Sequence, residues 1–474
     1  METFNVIPFP YNYGITNVPT FSPPFQPYNY TSLTNTSFTD FPTAAPPPPI
    51  TTPTIITTSS WMDSRLWSRL PQPLVDRILA FLPVPDFFRA RSVCKRWYGL
   101  LYSNSFLQLY LHVSPRQHWF IFFTHKTPNT TNIYRNNNLD DGEGEGEGEG
   151  EGGGIVSSSR AYLFDPYEVK WYTISFPIIP LGFSPATSSG GLVCWVSDEP
   201  GLKNLYLHNP VVGSVTQLPP TRRPRLFPSV GLSVTPSSVD LILAGDDMIS
   251  PYAVKNLTAE TFHIDSNGFY SVWDTTSPLP RLCSLESGQM VHSHGRSYCM
   301  NYSPFSVLAY DVSSNAWWKI QAPMRRFLRS PCLVESNGNI ILVAAVEKSK
   351  LNVPRSLRMW ILQGCGTQWA EIERMPQQLY AHFEQLEEGR GFHCVGSGHF
   401  IIIMIKALIN KGLLFDIHTK RWIWMPSCPR NANLSGEINV NSDANFQGFA
   451  YQPTLAAPAT ALVHQLATSS LSAF

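Results

Sequence analysis

The chain reads Tyr310-Asp-Val-Ser-Ser-Asn-Ala-Trp-Trp-Lys-Ile-Gln-Ala-Pro323 where a repeating pattern is clearest. The pattern is an aromatic or aliphatic run, a turn containing Asp or Asn, then a Trp, and a Pro a few residues later. Val215 replaces the Trp in the second copy. Six copies span residues 162–177, 206–219, 262–280, 310–323, 360–376 and 415–426. Self-similarity of this kind predicts one structural unit used six times.

The residues between these copies favour strands. Apolar runs such as Ile340–Ala344 and Phe400–Met404 are separated by Gly, Pro, Asn and Asp, and no long helical stripe follows residue 112. The Asp suits a hairpin turn, and the Trp is suited to packing between neighbouring sheets. A period of about 40 to 60 residues is typical of four-stranded propeller blades. A mainly β, six-bladed propeller is therefore predicted over residues 113–455.

Two further features of the sequence bear on how the propeller ring is closed and which repeats it resembles. Phe449–Pro453 reads as a spare strand that would close the ring by joining the first blade. The pattern resembles kelch repeats, although only Gly190-Gly191-Leu-Val keeps the double glycine of that family. A plain two-sheet sandwich is the alternative, because regularly spaced strands also suit it.

A helical pattern precedes the repeats. Leu74, Ile78 and Phe81 recur at helical spacing after Pro71, and Pro83 ends that helix. Asp86 is expected to cap the next turn, and a second apolar stripe runs from Val93 to Leu101. We expect three small helices over residues 59–112. A unit of about 45 residues is too small to bury all its apolar faces alone, so they are expected to be buried against another protein.

These residues resemble the F-box. The matching positions are Leu70, Pro71, Leu74, Ile78, Leu79, Leu82, Pro83, Arg89, Val93, Cys94, Lys95, Trp97, Leu100, Leu101 and Phe106. The resemblance implies binding to a Skp-type adaptor, and through it to a cullin-based ubiquitin ligase, with Leu70, Pro71, Leu74, Ile78, Leu79, Leu82, Pro83, Val93, Cys94, Lys95 and Trp97 as the adaptor site. Pro73 stands where the family usually has an acidic residue, but proline is tolerated at a helix start. The alternative is an ordinary helical hairpin inside a larger core.

The bulk composition excludes several classes of protein. The 34 basic residues balance 34 acidic ones, which argues against wholesale coating of nucleic acid. Eight cysteines stand singly without a Cys-x-x-Cys pair, so we predict neither a disulfide framework nor a zinc knuckle. The first basic residue is Arg65, and the longest apolar run, Phe400–Ile405, is too short to cross a bilayer. We therefore expect a soluble intracellular protein in a reducing compartment.

Three segments are not expected to contribute to a packed core. Residues 1–58 are rich in Pro, Thr, Ser and Asn and are predicted to be a disordered tail. Residues from about 128 to 159 contain a Gly-Glu alternation and are predicted to be a disordered surface insert between two strands of the propeller. Residues 456–474 are assigned to a C-terminal tail.

No catalytic constellation stands out in the sequence. His292-Ser-His294 is a close histidine pair, but a strand end followed by a hairpin turn explains it better than a metal site. Glu384, Glu387 and Glu388 flank Gly389-Arg390-Gly391 and are interpreted as a solvated loop. We expect a non-catalytic protein with neither a cofactor nor a metal; a propeller enzyme, which would need tightly bound metal, is the least favoured alternative.

Basic residues cluster in predicted loops. From Lys319 to Arg358 the chain has eight Lys and Arg against two Glu. Such clusters favour an acidic protein surface or the phosphates of DNA held by a bound partner, although ordinary solvated loops are an equally good interpretation. The candidate partner or phosphate contacts are Arg222, Arg223, Arg225, Arg325, Arg326, Arg329, Lys348, Lys350, Arg355 and Arg358.

Several longer stretches resemble a narrower family, the plant F-box proteins of the Unusual Floral Organs and Fimbriata group. They are residues 61–67, 225–236, 244–255 and 320–331. The resemblance implies a substrate receptor of a Skp-cullin-F-box ubiquitin ligase that also acts as a transcriptional co-regulator. It further implies a LEAFY-type transcription factor as partner, a role in floral meristem and organ identity, and a nuclear location, with presence in the cytoplasm left open. The alternative is a nuclear, DNA-contacting cofactor whose ligase link is dispensable.

Overall fold

The computed structural model describes residues 2–5, 69–126, 159–176, 179–180, 182–247, 256–265, 271–285, 288–302, 304–324, 326–347, 355–406, 408, 411–429 and 444–456. Two compact units divide the chain: residues 10–75, and residues 1–9 together with 76–474. The boundary between them falls inside the first helix. Most of the predicted tails and of the Gly-Glu insert lies outside the described residues.

Helices occupy the segment that resembles the F-box. Within the described residues there are four α-helices before the propeller rather than the expected three, and a 3₁₀ turn at Gly99–Tyr102 joins the last two. They are α1 (Gln72–Phe81), α2 (Val84–Ala90), α3 (Lys95–Tyr98) and α4 (Asn104–Val113). The expected cap at Asp86 is wrong: α2 begins one residue after Pro83 without a side-chain cap, so Asp86 lies in its first turn and pairs with Arg89 at 2.9 Å.

Strands make up nearly all of the remaining structure. In chain order they are β1 (Glu2–Asn5), β2 (Trp119–Lys126), β3 (Ser159–Asp165), β4 (Lys170–Phe176), β5 (Phe183–Ser189), β6 (Leu192–Ser197), β7 (Gly201–Leu202), β8 (Leu205–Asn209), β9 (Ser214–Leu218), β10 (Pro224–Arg225), β11 (Ser229–Val234), β12 (Ser238–Asp246), β13 (Leu257–Asp265), β14 (Asp274–Thr275), β15 (Gly288–Gln289), β16 (Val291–Ser293), β17 (Arg296–Asn301), β18 (Ser306–Asp311), β19 (Ala316–Gln321), β20 (Leu328–Ser336), β21 (Asn339–Val346), β22 (Ser356–Leu362), β23 (Trp369–Arg374), β24 (Phe392–Ser397), β25 (Phe400–Ile405), β26 (Gly412–Asp416), β27 (Arg421–Trp424) and β28 (Ala444–Tyr451).

These strands form six blades, so the six-bladed propeller is confirmed for the described part of the chain and the sandwich alternative is wrong. From the innermost strand outwards the blades are β28-β2-β3-β4, β5-β6-β8-β9, β11-β12-β13-β14, β16-β17-β18-β19, β20-β21-β22-β23 and β24-β25-β26-β27. The innermost strands surround a central channel. Apolar residues from facing sheets fill the space between the blades.

The ring is closed by the last strand, as the sequence predicts. β28 pairs antiparallel with β2, with Tyr451 opposite Trp119, and becomes the innermost strand of the first blade. β1, which the sequence analysis assigns to the N-terminal tail, pairs in parallel with β4 at the outer edge of the same blade. The Gly-Glu insert therefore lies in the connection between β2 and β3, which are adjacent strands.

The six sequence repeats correspond to the outer hairpins of the blades. Asp311, in the turn between β18 and β19, accepts hydrogen bonds from the backbone N–H groups of Ser313 and Ser314. The repeat Trp contacts the preceding blade: the indole of Trp273 donates a hydrogen bond to the carbonyl of Pro219 at 2.8 Å. Trp171 bonds in the same way to Pro426 across the closure of the ring, also at 2.8 Å. The predicted Trp packing is thus reinforced by hydrogen bonds between blades.

One helix in the propeller is missed by the sequence analysis. α5 (Gln377–Glu387) follows β23 and leads into β24, burying Tyr380, Phe383 and Glu387. The interpretation of Glu384, Glu387 and Glu388 as a solvated loop is therefore wrong for Glu387, which is 1% exposed. Its carboxylate pairs with Arg329 and accepts a hydrogen bond from the backbone N–H of Gly391.

Candidate docking surfaces

The helices before the propeller enclose a small aromatic core. Phe87 of α2 stacks on Phe106 of α4, with 5.5 Å between ring centroids. Arg96 of α3 pairs with Asp76 of α1 at 2.5 Å. Leu79 is 3% exposed and belongs to this interior, so its prediction as an adaptor contact is corrected: the side chain is used to hold the helices together.

Other apolar residues of this segment remain on the surface. Ile78 and Phe81, three positions apart on α1, are 38% and 48% exposed, and Val93 is 66% exposed. Leaving large apolar side chains in water is unfavourable, and a contiguous set of them on a small helical unit marks a protein interaction site. The structure therefore leaves two of the predicted adaptor contacts, Ile78 and Val93, and the neighbouring Phe81 on the surface, where a partner could cover them.

The remaining predicted adaptor residues are distributed around this surface. Pro71, Leu74, Cys94 and Lys95 are exposed, whereas Leu70, Leu82, Pro83 and Trp97 are half-buried. Cys94 also has a local role, because its sulfur accepts a hydrogen bond from the N–H of Trp97 at 3.4 Å and so caps α3.

The topology of the blades separates two faces of the propeller. Neighbouring strands within a blade are antiparallel, so the links from second to third strand and from each blade to the next leave from the same face. We call this the upper face; it carries residues 198–204, 219–228, 326–327 and 388–391. The helical segment joins the propeller at Trp119, the start of a second strand, and therefore on the opposite, lower face. There the Tyr110 side chain hydrogen-bonds the backbone of Leu455.

The described members of the three predicted basic clusters lie in or beside upper-face connections, but two of these arginines are buried. Arg225 is fully enclosed and its guanidinium meets the Glu260 carboxylate at 3.1 Å, with neither side chain exposed. It also donates to the carbonyls of Gly245 and Thr258, at 3.1 and 2.8 Å. Arg358 is 6% exposed and pairs with Glu371 at 3.3 Å. Their prediction as phosphate contacts is corrected, because both guanidinium groups are buried and paired with carboxylates inside the protein.

Three further candidates, one exposed and two half-buried, are already paired. Arg223 pairs with Asp247, and Arg355 pairs with Glu384 at 3.1 Å. Arg329 pairs with Glu387 and is 24% exposed. Partners for these cations come from acids far away in the sequence, so the local charge excess overstates the positive charge that the upper face presents.

Two candidates remain available as cations. Arg222 and Arg326 are exposed, and among the residues with described positions neither takes part in an ion pair. Arg325, Lys348 and Lys350 lie outside the described residues.

A central cavity of about 710 Å³ lies beneath the upper face. Its lining includes Phe227 at the upper rim, which is 55% exposed, and Cys332, Cys394 and Lys406 on the channel wall. Apolar side chains therefore line this cavity together with one cation, Lys406, and one carboxylate, Asp198, a combination suited to a peptide that has both apolar and charged residues.

The histidine pair behaves as the sequence predicts. His292 lies in β16, and His294 is in the following turn with a φ of 49°. In the described part of the chain, no group of three or more His, Cys, Asp or Glu side chains is placed to hold a metal ion. No described helix has the length and apolar character required to cross a membrane.

Comparison with known proteins agrees with this architecture. Residues 67–109 match the F-box domain, and residues 163–383 match the KIB1-4 beta-propeller. Protein UNUSUAL FLORAL ORGANS of Arabidopsis thaliana is 57% identical over 408 residues, covering 86% of this chain and 89% of the relative. The chain belongs to the Unusual Floral Organs family.

Other members and relatives of the family extend over similar lengths. Protein ABERRANT PANICLE ORGANIZATION 1 of Oryza sativa subsp. japonica is 39% identical over 437 residues, covering 86% of this chain and 94% of the relative. F-box only protein 6 of Arabidopsis thaliana is 25% identical over 376 residues, covering 77% and 71%. The similarity to these relatives therefore extends over most of this chain and of each relative.

Proposed function

We propose that this protein is the non-catalytic substrate receptor of a Skp-cullin-F-box ubiquitin ligase in floral meristem and organ identity. The exposed apolar side chains of the F-box helices carry the proposal, because Ile78, Phe81 and Val93 project from a unit whose own core is already filled. A Skp-type adaptor would cover them and connect the chain to a cullin. The propeller then holds the client on its upper face, away from the adaptor.

Adaptor binding is tested with a pull-down of purified full chain by a Skp-type adaptor. Ile78→Asp places a charge on the exposed face of α1 without disturbing the buried Leu79, so binding should fall at least tenfold, a free-energy loss of about 1.4 kcal/mol or more. Leu202→Asp is the matched control, since Leu202 is a 52% exposed leucine on the propeller. Equal binding by Ile78→Asp and the wild type would contradict the proposal.

We further propose that the upper face contacts a LEAFY-type transcription factor and the phosphates of the DNA it binds, which would place the protein in the nucleus. Support comes from the family resemblance and from the exposed cations Arg222 and Arg326, which form no ion pair with the residues that the structure describes. A cation that meets a phosphate releases counterions, so binding weakens as salt is raised.

The test is an electrophoretic mobility-shift titration of the ternary complex at several salt concentrations. Replacing Arg222 and Arg326 with Ala should reduce the slope of log affinity against log salt by about one for each phosphate contact that is lost. Arg421→Ala, at the lower end of an outermost strand, is the control. An unchanged slope in the double variant would contradict DNA contact while leaving the adaptor proposal intact.

A further inference from the structure

Two cysteines face the central channel from adjacent blades. Cys332 lies in β20 and Cys394 in β24, the innermost strands of the fifth and sixth blades. Both thiols are half-buried and both line the cavity of about 710 Å³. They are therefore accessible through the channel while being shielded from the outer surface of the protein.

The register of the two strands places these cysteines opposite each other. The backbone N–H of Phe392 donates to the hydroxyl of Ser330 at 3.4 Å, and the hydroxyl of Ser336 donates to the carbonyl of Gly398 at 2.5 Å. In both pairs the partners are 62 residues apart. The same offset of 62 residues separates Cys332 from Cys394, which lie between these two contacts, two residues after the first and four before the second. The strands therefore run side by side in register at this position.

Close approach of the two backbones is also built into this seam. Gly396 lies two residues after Cys394, and a Cβ atom there would overlap the carbonyl oxygen of Glu335. A side chain at this position would separate the strands, so the glycine is required to bring β24 against β20. Cys394 lies two residues before this glycine, in the same stretch of β24 that runs beside β20.

The environment of the pair distinguishes its two sulfurs. The Cys332 thiol donates to the backbone carbonyls of Ser330 and Phe392, at 3.4 and 3.9 Å. Its interaction with the neighbouring Cys394 thiol lowers the pKa of Cys332 against the opposing effect of burial. Burial, followed by the interaction with Cys332, raises the pKa of Cys394 well above its ordinary value. The positive charge of Lys406 further favours the thiolate of Cys332. Since the thiolate is the nucleophile, Cys332 is the sulfur that reacts first.

We propose that Cys332 and Cys394 form a covalent modification site for low-molecular-weight disulfides such as oxidised glutathione, and that the product is a reversible disulfide across the seam between the fifth and sixth blades. The Cys332 thiol loses its proton and its sulfur attacks one sulfur of glutathione disulfide, releasing one glutathione thiolate, which takes up a proton. The Cys394 thiol then loses its proton and attacks the Cys332 sulfur of the mixed disulfide, releasing the second glutathione. Two protein thiols are oxidised, and one external disulfide is reduced to two thiols.

The position of the pair gives this modification a structural consequence. β20 and β24 emerge at the upper face, where the neighbouring Arg329 and Glu387 already bridge the same seam. A disulfide beneath that ion pair would tie together the strands that support the connections at residues 326–327 and 388–391. In a reducing compartment such a bond forms only when the glutathione pool becomes more oxidised, which is typical of a redox-sensing rather than a structural disulfide.

The experiment equilibrates the purified full chain in buffers of increasing oxidised-to-reduced glutathione ratio. The reaction is quenched with acid, the remaining thiols are alkylated, and the peptides are mapped by mass spectrometry. We expect a peptide cross-linked through Cys332 and Cys394, with an intact mass lower by two hydrogen atoms. The transition should be reversed by reduced glutathione.

Variants identify the order of events. Cys394→Ser should stop at a mixed disulfide on Cys332, whereas Cys365→Ser, which removes an exposed thiol from a different part of the same blade, should leave the cross-link intact. Alkylation of both Cys332 and Cys394 in the most oxidising buffer would overturn the proposal, as would accumulation of the mixed disulfide in the wild type. Peptide mapping of the wild-type protein alone tests the proposal, even if a variant fails to fold.

Discussion

Replacing Arg225 with Met distinguishes a structural arginine from a partner-binding one. The substitution keeps the volume and flexibility of the side chain but removes its charge and its hydrogen bonds. Arg225 connects the loop before the third blade to Glu260 on β13 and to two carbonyls of the same blade. We therefore expect Arg225→Met to destabilise the propeller.

The size of the destabilisation follows from the carboxylate that the substitution leaves unpaired in the interior. Glu260 is 0% exposed, and without Arg225 its carboxylate keeps the backbone N–H of Arg222, at 3.1 Å, as a described hydrogen-bond donor. Breaking a buried ion pair by removing one partner costs about 3 to 5 kcal/mol, because an uncompensated charge remains in the interior. Arg225→Met combined with Glu260→Leu leaves no orphaned charge, so the double variant should lose much less stability than the single one.

The assay is urea unfolding followed by tryptophan fluorescence, which yields the free energy of unfolding of each variant. Arg222→Ala is the matched control: this arginine is exposed and three positions away, so its loss should change the free energy by less than about 0.5 kcal/mol. If Arg225→Met kept wild-type stability and instead weakened the DNA complex, the assignment of Arg225 as a structural residue would be refuted.

Three further substitutions test other features of the propeller. His208 is buried, and burial lowers its pKa to about 3, so below pH 6.5 the unfolded state binds a proton that the folded state does not. Lowering the pH from 7 to 5 should therefore reduce the free energy of unfolding of the wild type by about 2 kcal/mol through this site. In urea titrations at both pH values, His208→Leu should lack that part of the pH dependence. Trp273→Phe removes the indole hydrogen bond to the preceding blade and should lower the free energy of unfolding by about 1 to 3 kcal/mol, whereas a loss within measurement error would show that this bond is not needed. Gly396→Ala should lower the free energy of unfolding by about 1 to 3 kcal/mol, because the added methyl group overpacks the seam between β20 and β24. Gly364→Ala, where the methyl group meets open space, should leave the free energy of unfolding nearly unchanged in thermal or urea unfolding.

The blades could be predicted from the sequence because their chemistry is local. Asp311 and Trp317 lie within one hairpin, so the residue that forms the turn and the residue that packs on the neighbouring blade are close in sequence and recur together in each repeat. α5 could not be recognised in the same way, since its eleven residues are mostly polar and are followed by Gly389 and Gly391. The available signal was the spacing of Tyr380, Phe383 and Glu387, which places them on one helical face. This signal is weak because one of the three buried residues is a glutamate, a residue type that is usually exposed.

Charge was the least predictable part of the candidate site. The excess of Lys and Arg between residues 319 and 358 suggests an anion-binding surface, yet Arg329 is paired with Glu387, 58 residues away. Arg225 is matched in the same way by Glu260, 35 residues away. Sequence proximity cannot reveal such pairs, because the acids arrive from other strands when the blades assemble. Along α1 the family pattern includes both Ile78 and Leu79 among the expected adaptor contacts, and only the packing of the helices shows that Ile78 is exposed and Leu79 is buried.

The arrangement of the two docking surfaces follows from a single topological choice. Because β28 supplies the innermost strand of the first blade, the helical segment enters the ring at β2, a strand that begins on the lower face. Had the first blade been built entirely from the N-terminal side, its first strand would have begun on the upper face and brought the F-box helices towards the cationic connections. Closing the ring with the last strand therefore does more than stabilise it. It puts the F-box helices on the lower face of the propeller, opposite the upper-face connections where we propose that a client is held.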